Sequence, residues 1–146
     1  MAGRGANFQP PRNADGNVVP HDSPNIDGAD TLIRYITDQY LVEDEKVVGG
    51  KRLSTGAFSE SSDGGMSVDI EKKMVAAGLA VAARVLPPFV GAGRLIAAEL
   101  RALQMLVGED PLKENPHHGA VWHVRQTKRK KLLQQFVWVV KPAEIA

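Results

Sequence analysis

The chain has 146 residues, 43% of them hydrophobic and 24% charged, with a formal net charge of +1. That length fits one domain, that hydrophobic content excludes a wholly disordered chain, and that charge balance lacks the basic excess of a dedicated nucleic-acid binder. There is no cysteine, so disulfides, thiolate zinc sites and cysteine nucleophiles are excluded, and a reducing cytoplasm is the expected location.

The first residues lack the apolar core of a signal peptide, and no run of about 18 apolar residues marks a membrane span. Residues 1–30 hold Pro10, Pro11, Pro20 and Pro24 among Gly, Asn and Asp, with scattered apolar side chains. Such a segment buries too little surface to offset the entropy of ordering. It reads as a disordered or surface-hugging arm in front of a single domain over 31–146. Leu32 to Ile36 is rich in β-formers and reads as a strand with Arg34 on the face opposite Ile33 and Tyr35. Asp38 to Val42 suits one helical turn, Val47 to Gly50 a turn, and Ser59 to Gly65 a polar loop. Met66 to Ile70 alternates as a half-buried strand. Asp69 is then placed to cap a helix over Glu71–Ala77 that Gly78 stops.

Leu79 to Leu86 is open to helix or strand, and Pro87-Pro88 ends it. From Gly91 to Val107 two parses compete. One is a single helix carrying Leu95, Ile96, Leu100, Leu103 and Leu106, with Gly108 as C-cap; the other is a strand at Gly93–Ile96 followed by a helix at Ala97–Gln104. Ala120 to Val124 reads as a strand. Thr127 is a good N-cap for a last helix, with Leu133, Phe136, Val137 and Val140 as its apolar stripe and Pro142 as its end. The whole describes an α/β (α+β) domain with a short mixed sheet packed by about three helices.

Three of the four histidines fall in one stretch, Asp110-Pro-Leu-Lys-Glu-Asn115-Pro-His-His118-Gly-Ala-Val-Trp-His123. Two X-Pro bonds fix the path of the chain into His117 and His118. The two rings point opposite ways in an extended segment, and their spacing to His123 matches no zinc pattern, so neither a metal nor a cofactor is expected. Arg34, Arg52, Ser54 and Thr55 are the residues expected to converge with His118 on an anion such as phosphate, because a guanidinium donates two parallel hydrogen bonds. Asp110 and Asn115 frame the turn. The run Thr127-Lys128-Arg129-Lys130-Lys131 places cations at the positive end of a helix dipole, where an acidic or phosphate-bearing partner would relieve the cost. Bulk composition offers 5% aromatic residues, few rings for stacking single-stranded bases.

The strings Leu32-Ile-Arg-Tyr-Ile36, Leu53-Ser-Thr-Gly-Ala-Phe58, Gly65-Met-Ser-Val-Asp69 and Asp110-Pro-Leu-Lys-Glu-Asn-Pro-His-His118 together resemble a set of small, functionally uncharacterised bacterial proteins. Those pair Ser-x-x-Ala-Phe and Ser-Val-Asp segments with a later Asp-Pro-Leu-Pro-x-Asn-Pro-x-His turn. The resemblance covers roughly residues 31–124, departs at Lys113, and singles out Arg34, Ser54, Phe58, Asp69 and His118. Arg34 with Ser54-Thr55 is also similar to ADP-ribosyltransferases of the Arg-Ser-Glu type. Here, however, the sole Glu-x-Glu, Glu43-Asp44-Glu45, precedes Ser54.

Two functions are therefore expected. The first is an accessory or interaction module with a protein partner, acting through the loop 110–118 and the basic helix start. The alternative is an enzyme on a phosphate-containing or nucleotide substrate, with His118 as general acid/base, Arg34 as anion clamp, Ser54 beside them, and Arg52, Asp110, Asn115, Lys128 and Arg129 as ligand-binding groups. Nucleic acid is a further partner class on the basic run; a membrane is not.

Overall fold

The structure is a computed structural model that describes residues 8–61 and 64–145. Its strands and helices follow in the order β1 (Thr31–Thr37), β2 (Leu41–Glu43), β3 (Lys51–Leu53), β4 (Met66–Ile70), α1 (Glu71–Ala76), β5 (Phe89–Ile96), α2 (Ala97–Ala102), β6 (Leu106–Glu109), β7 (His118–Trp122), α3 (Arg129–Gln135) and β8 (Val137–Val140). Six strands make one sheet in the order β6-β7-β4-β1-β5-β8, and β2 and β3 make a separate hairpin. Every pair in the large sheet is antiparallel, so the sheet is larger than expected and not mixed. No helix among the described residues is long and apolar enough to cross a membrane.

Alternation along the strands divides the side chains between two faces. Leu32, Ile36, Met66, Val68, Ile70, Leu95 and Val121 join the main core, which is closed by Phe58, Leu100 of α2, Leu132 of α3 and Leu41 and Leu53 of the hairpin. Ile33 and Ala92 belong to a smaller cluster with Met74 of α1 and Val81 of the 3-10 turn Val81–Arg84. The opposite face is thus only half covered, and the polar residues of β1, β4 and β7 gather on its uncovered part.

Several sequence expectations change. Asp69 does not cap α1: the N-cap is Ile70, with no side-chain cap, and Asp69 lies 2% exposed within the sheet. The segment 91–107 follows the strand-then-helix parse, and Gly108 belongs to β6 rather than to a helix end. The last helix stops at Gln135, and the supposed stripe continues as β8, paired to β5 through Ala92↔Val140 and Arg94↔Val137. The run Phe136-Val-Trp-Val-Val140 is rich in β-formers, and the ladder that β5 offers decides its conformation over the helical spacing. Phe136 sits at the junction with its ring where a Cβ on Gly93 would lie, 2.0 Å from the ring's Cζ, so that strand position needs glycine.

Residues 8–30 are not disordered. Ile26 is 1% exposed within the main core. The backbone is tied to β6 by Ser23 N–H donating to Val107 O at 2.9 Å, and to α2 by Ala97 N–H and Ala98 N–H donating to Asp30 O and Gly28 O. Glu109 accepts from Ser23, Asn25 and Lys73. Upstream, His21 packs between the rings of Phe8 and Trp122. A handful of apolar anchors and paired polar groups suffices to hold the segment, although its average composition argued against order.

Candidate functional site

β1 pairs with β5 along its whole length, from Thr31↔Ile96 to Thr37↔Phe89. It pairs with β4 only at Leu32↔Ile70 and Ile33↔Asp69. Beyond Ile33 the two strands part, and the Arg34 side chain bridges the opening. Its Nε donates to Ala57 O and its Nη1 to Ser67 O, both at 2.9 Å. The guanidinium thus replaces ladder bonds that the strands no longer make with each other. No carboxylate among the described residues pairs with it, and burial lowers its pKa from the ordinary arginine value.

The half-covered face beside this opening holds a cavity of about 190 Å3, with Arg34, Tyr35, Asp69, Arg84, Asn115 and His118 in its wall. Asp69 organises the wall. Its Oδ2 accepts from the Tyr35 hydroxyl at 2.7 Å and from Arg84 Nε at 3.0 Å, and its Oδ1 accepts from Asn115 Nδ2 at 2.8 Å. A buried carboxylate requires such donors, since an unpaired charge there is costly. Burial, and then the hydrogen bond to Asp69, push the Tyr35 phenol well above its ordinary value, so it stays protonated and donates. Burial works against the Arg84 charge, but Asp69 and Tyr35 outweigh it and raise its pKa. Tyr35 also packs against Phe89, ring centroids 5.4 Å apart, which makes one wall aromatic.

His118 stands opposite Asp69 across the β4–β7 ladder. Its Nδ1 lies 2.8 Å from the carbonyl oxygen of Asp110 and 3.3 Å from the Asp110 carboxylate. A carbonyl only accepts, so Nδ1 carries the hydrogen and Nε2 of the neutral ring keeps its lone pair. A histidine oriented at Nδ1 by a carboxylate-bearing residue, with Nε2 left as acceptor, is the arrangement a general base requires. Asn115 fixes the approach: its Oδ1 accepts from His117 N–H, its backbone O from His118 N–H, and its Nδ2 holds Asp69.

Arg34, Asn115 and His118 therefore meet in one cavity, and Asp110 orients the imidazole. Ser54 does not line it: the residue precedes the 3-10 turn Thr55–Ala57, where its N–H donates to Tyr40 O. Arg52 lies on the β2–β3 hairpin, against a groove with Asp44. Lys128 ends the 3-10 turn Gln126–Lys128, and Arg129 begins α3 with its Nε buried and without a hydrogen-bond partner. Neither lines the cavity. Sequence reasoning missed Tyr35, Ser67 and Arg84. Tyr35 had no signal: read on the face opposite Arg34 it was not expected in the same site, and both line the cavity because β1 and β4 part beyond Ile33. Arg84 lay in a segment open to helix or strand, with no periodicity to orient it. No group of three or more His, Asp or Glu among the described residues is placed to hold a metal. No family model, no curated protein and no solved structure matches the chain.

Proposed function

We propose that the chain binds a small ligand bearing a phosphate-like anion in the β1–β4 cleft, with His118 as general acid/base toward it. The observation that carries this reading is the Arg34 guanidinium: it lies half-buried at the cavity wall, bonded to backbone carbonyls and unpaired with any described carboxylate. A half-buried cation that no described carboxylate balances leaves a charge for an incoming anion to pair with. Arg84 adds a second guanidinium, already paired with Asp69, so the described residues of the wall carry an excess of one positive charge. His118 presents Nε2 beside it. Acylation by diethyl pyrocarbonate, mapped by peptide mass, tests both elements. Inorganic phosphate should slow modification of His118 and leave that of exposed His123 unchanged; equal rates with and without phosphate would contradict the reading.

The interaction module remains a second reading, favoured by the exposure of Leu112 at the loop tip and of Lys130 and Lys131 on α3. Against it, the loop 110–118 is tied down by Asn115 and His118, whose side chains turn inward while Lys113 and Glu114 stay exposed. Loss of phosphate protection together with capture of a protein partner that Lys130→Glu/Lys131→Glu abolishes would favour that second reading.

A further inference from the structure

The cavity at Arg34 measures about 190 Å3, less than the roughly 300–1,000 Å3 of sites that enclose a whole small molecule. It has room for an anionic group and little more. A second, larger groove of about 400 Å3 adjoins it, and Ser67 and His118 lie in both walls. The outer wall of this groove is the N-terminal segment, through Arg12, Asn17 and Val18, facing Ser61 and Asp110. The two spaces differ in chemistry. The inner one has the Arg34 guanidinium, which pairs with no carboxylate among the described residues, and the Tyr35–Phe89 wall. Among its described residues the outer one sets one cation, Arg12, against one carboxylate, Asp110, and is otherwise rich in neutral hydrogen-bonding groups.

We propose, resting on the anion-site reading above, that the ligand is a sugar phosphate: its phosphate sits in the inner cavity and its hydroxyl-bearing half lies in the outer groove, with His118 at the junction. The described residues of the outer groove balance their charges, so they do not select a second charged group. It also offers no platform for a nucleobase. Of its two rings, Trp122 is 3% exposed and packed against His21 at 5.2 Å, and His118 is half-buried with its Nδ1 held by Asp110, whereas stacking a base takes an open aromatic face. What it does offer is the Asn17 amide, the Ser61 and Ser67 hydroxyls, the Asp110 carboxylate and the Arg12 guanidinium, donors and acceptors suited to several adjacent hydroxyls. The N-terminal segment thereby gains a role beyond covering the sheet, since it builds half of the site.

Calorimetric titration of the full chain with inorganic phosphate, ribose 5-phosphate and glucose 6-phosphate tests this. At least one sugar phosphate should bind ten-fold or more tightly than inorganic phosphate. The double substitution Asn17→Ala/Ser61→Ala, at two exposed positions, should remove that advantage while leaving phosphate affinity unchanged. Phosphate binding with no advantage for either sugar phosphate, or an advantage that survives the double substitution, would overturn the two-part site. Failure of all three compounds to bind would instead overturn the anion site itself.

Discussion

β1 meets its two neighbours in opposite ways. Toward β5 it keeps register from Thr31 to Ile36, with one shift before Thr37, pairs Leu32 with Leu95 over the core, and leaves Gly93 opposite Arg34 so that the Phe136 ring can close the layer. Toward β4 it pairs for two residues and then diverges, and a guanidinium fills the gap. The first seam is held by apolar packing and backbone ladder bonds. The second depends on a polar network whose donors and acceptors must all be present, because an unsatisfied buried group costs about 1–3 kcal/mol. A single strand can thus serve as core on one edge and as the wall of a cleft on the other.

The contrast is broken most severely on the tight side. Leu95→Ala, at a fully buried position, should cost about 2–5 kcal/mol by urea unfolding; a loss below 1 kcal/mol would mean that the β1–β5 seam is not a core. Gly93→Ala forces Phe136 to move and should cost about 1–3 kcal/mol, with near-native stability contradicting the packing described. On the open side, Asp69→Ala strands the Tyr35 hydroxyl, the Asn115 amide and Arg84. The expected loss is about 2–3 kcal/mol, moderated because Arg84 is partly solvated. Tyr35→Phe in the Asp69→Ala background should then cost less than Tyr35→Phe alone, and equal costs in the two backgrounds would show that the two groups do not cooperate.

The smallest effect is one of pH. Burial raises the Glu109 pKa, but hydrogen bonds from Lys73, Ser23 and Asn25 outweigh it and leave it below the ordinary 4.5. Glu71 is also held low, first by the hydrogen bond from Arg94. A carboxylate depressed in the folded state contributes stability above its unfolded pKa, and that contribution is lost as pH falls through the folded value. Stability should therefore decline below about pH 4.5. Glu109→Gln should be less stable than wild type at pH 7 and converge toward it in acid. A gap that stays constant down to pH 2 would contradict the linkage.

What was legible follows from where local chemistry decides structure. The alternation of Leu32–Ile36 and Met66–Ile70 is strong enough to place two central strands, and the prolines at 111 and 116 locate the turn that delivers Asn115 and His118. Placing Arg34 and Tyr35 on opposite faces was also correct in kind. The missing part is tertiary. Val137–Val140 is a strand because β5 has a free edge beside it, and no property of the segment alone conveys that. Asp69 looks like a helix cap from its position before Glu71. Only the register Asp69↔His118 and the approach of Tyr35 and Arg84 make it the hub of a buried network. Arg34 and His118 are far apart in sequence, and the strand order that brings both beside β4 is not written in either segment. Composition left the arm open between disordered and surface-hugging, because an average hides single anchors such as Ile26 and Ser23.

The central claim is that the divergence of β1 from β4 creates an anion site between Arg34 and His118. Its most direct test is NMR of the four histidine side chains during titration with inorganic phosphate at constant pH and ionic strength. The account predicts a saturable displacement of the His118 ring resonances, with exposed His123 shifting only slightly and without saturation. If His118 moves no more than His123, the cleft does not bind phosphate and the claim is wrong.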